Sequence, residues 1–306
     1  MKNIDVLTDA ARNAALPDDA VRQCTALLAR LDCEMLTRAF FAEMPPRRRN
    51  VSCKAPAARL GYFPDGFYPE REWFTPAKAL FDSAGVRRES GFLAALVDLI
   101  AHTREIYRAN ALPDAVLAAS LAKIGENACA FYAAHGFYGV DDYVWLCCFL
   151  APELFAVGSL EMRLCSFPYP AAHIGGKAIR CGDPVIQVHV PCHADISRQA
   201  LDRSYAAACR LFGTDVFLAD SWLLFPEHRQ MLPPDSNIRS FMADYTLLEV
   251  SRTFDYEGLF RIFGRRADYR YEDLPKDTAL RRAYAERVRR GLPIGSAVGL
   301  FRFSGI

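Results

Sequence analysis

The chain has almost no net charge, no unbroken apolar run of membrane-spanning length, no Cys-x-x-Cys pair and no internal repeat. Each lack removes a class of protein. Thirty-seven Lys and Arg stand against 36 Asp and Glu, a formal charge of +1 over 306 residues. No global field therefore marks a nucleic-acid or membrane-surface binder. The longest apolar stretch, Tyr143 to Val157, is broken by Pro152-Glu153 and is too short to cross a bilayer. Met1-Lys2-Asn3-Ile4-Asp5 lacks the apolar segment of a secretion signal. These features predict a cytoplasmic protein with no membrane partner. The ten cysteines are scattered, and the adjacent Cys147 and Cys148 would leave a helix on different sides, so no disulfide framework is expected. The absence of a fixed period argues against a solenoid.

What is present is ordinary for a globular chain: 52% hydrophobic and 24% charged residues, enough for a sizeable core and two domains. Basic clusters occur at Arg47–Arg49 and between Arg261 and Arg290. The second is interrupted by Glu272, Asp273, Asp277 and Glu286, which reads as a solvated face, and no nucleic-acid partner is expected.

The periodicity changes along the chain. After Pro17, the residues Val21, Cys24, Leu27, Leu28 and Leu31 recur at three- and four-residue spacing, which predicts a helix. Further helices are predicted over Cys33–Glu43, Ser90–Arg108, Pro113–His135 and Val140–Leu150. The segment from Asn50 to Pro76 carries Tyr62, Phe63, Phe67, Tyr68, Trp73 and Phe74, and reads as an aromatic loop packed on the helical domain or roofing a pocket. Past Pro152 the pattern becomes strand-like. Phe155–Phe167 alternates as one strand, and Val185–Val190, Val216–Asp220, Tyr245–Val250 and Gly295–Phe303 are further strands. Turn signals stand at Gly175-Gly176 and Gly182-Asp183-Pro184, and Ser236-Asn237 reads as a turn cap. Ser197 can cap a helix over Arg198–Phe212, and another helix is predicted over Pro275–Arg290. The expected class is α+β: a helical N-terminal domain followed by a mixed β-sheet domain with flanking helices. The division falls between Gly136 and Phe155 and is drawn as 1–144 and 145–306.

Three segments carry a resemblance: ELFAVGSLEMRL (Glu153–Leu164), VIQVHVP with DISRQALDRSYAAACRLF (Val185–Phe212), and DSWLLFPEHRQMLPPDSNIRSFMADYTL (Asp220–Leu247). With the terminal LPKDTALRRAYAERVRRG and GSAVGLF, they resemble bacterial acyltransferase-like proteins that join a helical N-acyltransferase N-terminal domain to a GNAT-like C-terminal domain. The resemblance implies a sheet that binds acyl-CoA or acetyl-CoA and passes the acyl group to a small-molecule amine. It also implies where the coenzyme lies: along the edge of the Val185–Val190 strand, through Val188 and Val190, then over Cys192 and Ser197 to Arg198. Free N–H groups at a helix start suit a pyrophosphate. The loop Pro191-Cys192-His193-Ala194-Asp195-Ile196-Ser197 departs from the family's glycine-bearing loop, and Asp195 repels a phosphate.

Aminolysis of a thioester needs a base for the amine and a proton for the departing thiolate. Glu161, at a strand centre next to the Val185–Val190 strand, suits the base if burial raises its pKa. The alternative is an outward residue paired with Arg163 on the same face. His189, near a strand end, can accept a proton at neutral pH, or is a half-buried structural histidine. Ser221 could donate to the thioester oxygen or leaving sulfur, but lacks a nucleophile elbow. Trp222 reads as a core anchor. The spacing of His189, Cys192 and His193 matches no zinc set, so no metal is expected. A second class stays open: a non-catalytic GNAT-like binding or sensor protein that has lost its phosphate loop.

Overall fold

The computed structural model describes residues 4–43, 74–252, 256–264 and 268–305. The Arg47–Arg49 cluster and the aromatic loop, apart from residues 74–76, lie outside them. The described chain forms two compact units that divide after Ala156.

The first unit is helical: α1 (Ile4–Asn13), α2 (Asp18–Leu28), α3 (Cys33–Glu43), α4 (Thr75–Ser83), α5 (Arg88–Ala109), α6 (Asp114–His135) and α7 (Tyr143–Leu150). Helix α5 is its centre. Every residue from Ser90 to Ile100 is buried, because α1, α2, α3, α4, α6 and α7 all pack around it. A helix wrapped on all sides needs no polar face, which is why its apolar residues do not form a stripe. Phe92 stacks on Tyr143 with ring centroids 3.7 Å apart, and Phe74 stacks on Phe40 at 4.6 Å. Phe74 is therefore core. Gln23 Nε2 and Ser90 Oγ both donate to the Tyr138 carbonyl at 2.7 Å, so the turn before α7 is pinned by two helices. Helices α1 and α4 lie outside the helices that the periodicity predicts. Helix α4 opens at Thr75-Pro76, where proline in the first turn starts a helix as readily as it closes a loop.

The second unit is built on a mixed sheet. The expected strand Phe155–Phe167 is in fact two, β1 (Phe155–Val157) and β2 (Leu160–Ser166), separated by a turn at Gly158-Ser159. A hairpin follows, β3 (Ala171–Ile174) and β4 (Lys177–Arg180). Its two-residue turn is Gly175-Gly176, both at positive φ (53° and 76°), which favours glycine at each position. Then come β5 (Pro184–His189), α8 (Arg198–Phe212), β6 (Val216–Ser221), α9 (His228–Met231), α10 (Asn237–Asp244), β7 (Thr246–Ser251), α11 (Tyr256–Phe263), α12 (Ala279–Arg289) and β8 (Ser296–Arg302). The Ser236-Asn237 pair, which the sequence offers as a turn cap or an acceptor-binding amide, stands at the start of α10. The sequence pattern starts the last helix at Pro275, but Thr278 Oγ1 accepts from Arg281 N at 3.1 Å and sets the start of α12.

The strand order is β1-β2-β5-β6-β8-β7. Strands β2 and β5 are antiparallel, β5 and β6 parallel, and β6–β8 and β8–β7 antiparallel. Helix α8 supplies the crossover that a parallel pair requires. On the α8 side, Tyr205 packs against Phe217 and Phe301 at 4.9 and 4.8 Å between ring centroids. On the other side Val185, Val216, Leu218, Val298 and Leu300 pack with Phe167 and Ile179. A separate cluster joins Leu259, Phe263, Tyr284 and Ile294.

Candidate functional site

Strand β2 lies antiparallel to β5 with Glu161 opposite His189 and Arg163 opposite Gln187. Side chains on a strand alternate, so these four project from one face, the face of Val185 and Leu218. Directly opposed residues have Cβ atoms about 5 Å apart. All four are buried: Glu161 and Arg163 at 6% exposure, His189 at 8% and Gln187 at 0%. A charged strand centre of this kind is unusual, because a sheet face normally buries apolar side chains there. Arg163 Nε donates to Gln187 Oε1 at 2.5 Å. Burial pushes the His189 pKa well down, and the Arg163 and Arg261 cations push it the same way. The imidazole is therefore neutral at neutral pH.

The parallel partners β5 and β6 are in register only at Ile186–Phe217 and Gln187–Leu218. Among the described residues the pairing of these two strands ends there. Val188 and His189 on β5, and Ala219 to Ser221 on β6, lie beyond the last paired residues. Asp220 falls on the His189 face by alternation from Leu218. Ser221 falls on the opposite face, where its Oγ accepts from Leu223 N at 3.1 Å and starts a short helical turn. The structure thus brings Glu161 and His189 together and turns Ser221 away from them. Trp222 meets His228 and Tyr284 edge-on, at 5.7 and 6.0 Å, as a packing residue.

The loop from Pro191 to Ser197 leads from β5 to α8. Cys192 is exposed, and His193 adopts a left-handed φ of 64°. Asp195 Oδ1 accepts from Ser197 N at 2.8 Å, and that bond holds the Asp195 carboxyl below its ordinary pKa. Ser197 caps α8, its Oγ accepting from Ala200 N at 3.4 Å. Arg198 donates to Asp244 at 2.7 Å and pairs with Asp202 at 2.8 Å. It lines an open pocket of about 520 Å³ with Asp202, Asp244, Phe301 and Phe303, on the α8 side of the sheet. That pocket is on the face opposite Glu161 and His189. Among the described residues no group of three or more His, Cys, Asp or Glu side chains is placed to hold a metal ion. Arg270, Arg281 and Arg289 pair with Asp273, Asp277 and Glu286, as expected of a solvated basic face.

Gln187 is a member of the buried β2–β5 group that the sequence does not single out by motif or spacing. Its signal was present: a glutamine inside the apolar strand VIQVHV has to find a partner or serve as one.

The N-acyltransferase N-terminal domain family matches residues 5–151, and the GNAT-like C-terminal domain family matches residues 154–301. A search of curated proteins finds no match. Among solved structures, an acyltransferase in complex with decanoyl-CoA and teicoplanin is similar at 19% identity and a TM-score of 0.70, covering 96% of this chain and 86% of that one. An acyltransferase mutant in complex with octanoyl-CoA is similar at 19% identity and a TM-score of 0.69, covering 96% and 87%. At that identity the likeness is one of fold. The two domain matches, which between them run from residue 5 to residue 301, show the family: the chain belongs to the acyltransferase-like proteins that join an N-acyltransferase N-terminal domain to a GNAT-like C-terminal domain.

Proposed function

We propose that the protein transfers an acyl group from acyl-CoA to the amine of a small-molecule acceptor, with Glu161 and His189 handling the proton. The observation that carries this reading is the buried Glu161–His189 pair beside the point where β5 and β6 part. Parted parallel strands leave backbone N–H and C=O groups without ladder partners, and the edge at Val188 and Val190 suits the amides of a pantetheine arm. The first turn of α8, behind Cys192 and Ser197 and beginning at Arg198, offers amides to the pyrophosphate. The similar structures carry octanoyl-CoA and decanoyl-CoA, and one carries teicoplanin, which makes a medium-length acyl chain and a small-molecule acceptor the first to test.

In the reaction the amine nitrogen attacks the thioester carbonyl carbon, and its surplus proton must leave. The Glu161 carboxylate and the neutral His189 imidazole opposite it are the two acceptors at that row, the imidazole a weaker base than a free one because burial and the Arg163 and Arg261 cations hold its pKa down. The carbon–sulfur bond then breaks, the thiolate departs and is protonated to give free CoA, and an amide remains.

Release of the CoA thiol from decanoyl-CoA, followed with a panel of amines, tests the reading. Glu161→Gln and His189→Gln should each lower turnover by 100-fold or more, on the order of 10² to 10⁴ for a positioned acid–base group, with the melting temperature little changed. Unchanged rates in both would remove the pair from the mechanism.

One observation favours a second reading, a binding protein without turnover. The loop before α8 has no glycine, it carries the Asp195 carboxylate, and Arg198 is already engaged by Asp202 and Asp244. Saturable coenzyme binding with no thiol release from any amine would select it.

A further inference from the structure

Gln187 is the last β5 residue in register with β6, so it stands at the vertex where the two strands part. Its side chain is wholly buried. The Arg163 Nε–H can only donate, so the Gln187 atom facing it is the amide oxygen, and the amide nitrogen points elsewhere. That nitrogen is buried and has no hydrogen-bond partner. A native fold seldom leaves two buried N–H bonds unmet without a use for them. The group is also preoriented, since its oxygen is held by a side chain from the neighbouring strand.

Several features say what it would bind. The amide N–H is neutral and donates only, which suits a neutral carbonyl oxygen better than a phosphate or a carboxylate, the usual partners of arginine. Val185 and Leu218 on the same face are packed against Phe167 and Ile179, which puts the amide at the border of a filled apolar layer. The neutral acceptor that an acylated coenzyme would bring to the parted strands is its thioester oxygen. Gln187 is also two residues along β5 from His189, one side-chain repeat below the proton-handling pair.

We infer that Gln187 Nε2 donates to the carbonyl oxygen of the acyl thioester, and that this contact makes the protein distinguish acylated coenzyme from a coenzyme lacking that oxygen. The inference rests on the coenzyme reading above and adds a specificity-determining residue to it. As the amine attacks, negative charge gathers on that same oxygen. A fixed donor backed by the Arg163 cation then becomes more favourable.

The test is calorimetric titration of the full chain with three probes: free CoA, decanoyl-CoA, and S-decyl-CoA, the thioether with a methylene in place of the carbonyl. Wild type should bind decanoyl-CoA about tenfold more tightly than the thioether, the value of one net hydrogen bond to a buried donor. Gln187→Glu keeps an acceptor for Arg163 and removes both donors; Gln187→Met removes both functions at similar volume. Each should abolish the tenfold preference while leaving the affinity for free CoA within about twofold of wild type. Retention of the preference in either folded variant overturns the assignment. So does equal binding of thioester and thioether by wild type, which leaves the coenzyme reading intact. Failure of wild type to bind any probe overturns both. Should neither variant fold, the carbonyl stretch of carbon-13-labelled decanoyl-CoA bound to wild type decides: a shift to lower frequency supports the contact, and an unshifted band overturns it.

Discussion

His228 shows what a buried histidine looks like when its ring is fully occupied. It is wholly buried, its Nδ1–H donates to the Leu223 carbonyl at 3.1 Å, and the Tyr284 hydroxyl donates to Nε2 at 2.6 Å. A carbonyl only accepts, so the proton must sit on Nδ1, and Nε2 must be the acceptor. Burial drives its pKa down from 6.5 to about 4. The unfolded chain therefore takes up a proton near pH 6.5 that the folded chain refuses until about pH 4. This contribution to stability is complete above pH 6.5, and about 3 kcal/mol of it is lost as pH falls to 4. His189 is held down too and acts in the same direction, so the informative quantity is the difference between proteins. In chemical denaturation, His228→Gln should lose less stability than wild type between pH 6.5 and pH 4. Parallel curves would mean that His228 does not titrate as its burial requires. At this scale Glu161 and His189 were each legible in the sequence as chemistry-bearing residues on strands. That they face one another was not legible, because facing is a matter of register, and register is set by pairing between segments far apart in the chain. Ser221, read as a donor to the thioester oxygen or the leaving sulfur, falls by alternation on the other face of β6, where its Oγ accepts from Leu223 N.

At the scale of elements, the long periodic helices and the α8 unit were readable because capping and spacing are local. Ser197 starts α8 where the pattern placed it, and Gly213, at φ 71°, follows its end. Short elements were not readable. Helix α10 begins at a Ser-Asn pair that serves equally for a turn, and the Gly158-Ser159 break inside Phe155–Phe167 interrupts an otherwise continuous alternation. Close approach between elements was hidden as well. On helix α6, a Cβ added at Gly125 would lie 2.2 Å from the Ala14 carbonyl oxygen. Alanine is the better helix former by about 1 kcal/mol, so an isolated helix would gain from Gly125→Ala. Here the backbone of the segment after α1 has to move, a cost of typically 1–3 kcal/mol for overpacking. The variant should therefore melt several degrees lower than wild type. A higher melting temperature would show that α1 and its following turn yield freely.

At the scale of the molecule, the sequence distinguishes a helical half from an α/β half by periodicity alone, and the structure resolves the same two kinds of unit. Among the described residues no helix is long and apolar enough to cross a membrane. The chemistry argued above lies in the second unit, on one face of one sheet, where two parallel strands part beside a buried carboxylate–imidazole pair. The open pocket beside Arg198 is on the reverse face and has no part in that account. On this reading, parted strands and a glycine-free loop still hold an acylated coenzyme. The decisive measurement is calorimetric titration of the purified chain with decanoyl-CoA. Saturable binding in the micromolar range is expected, lost when the coenzyme is replaced by decanoate. No binding to a well-folded sample would contradict this reading, and would leave the GNAT-like domain a fold without its family's ligand.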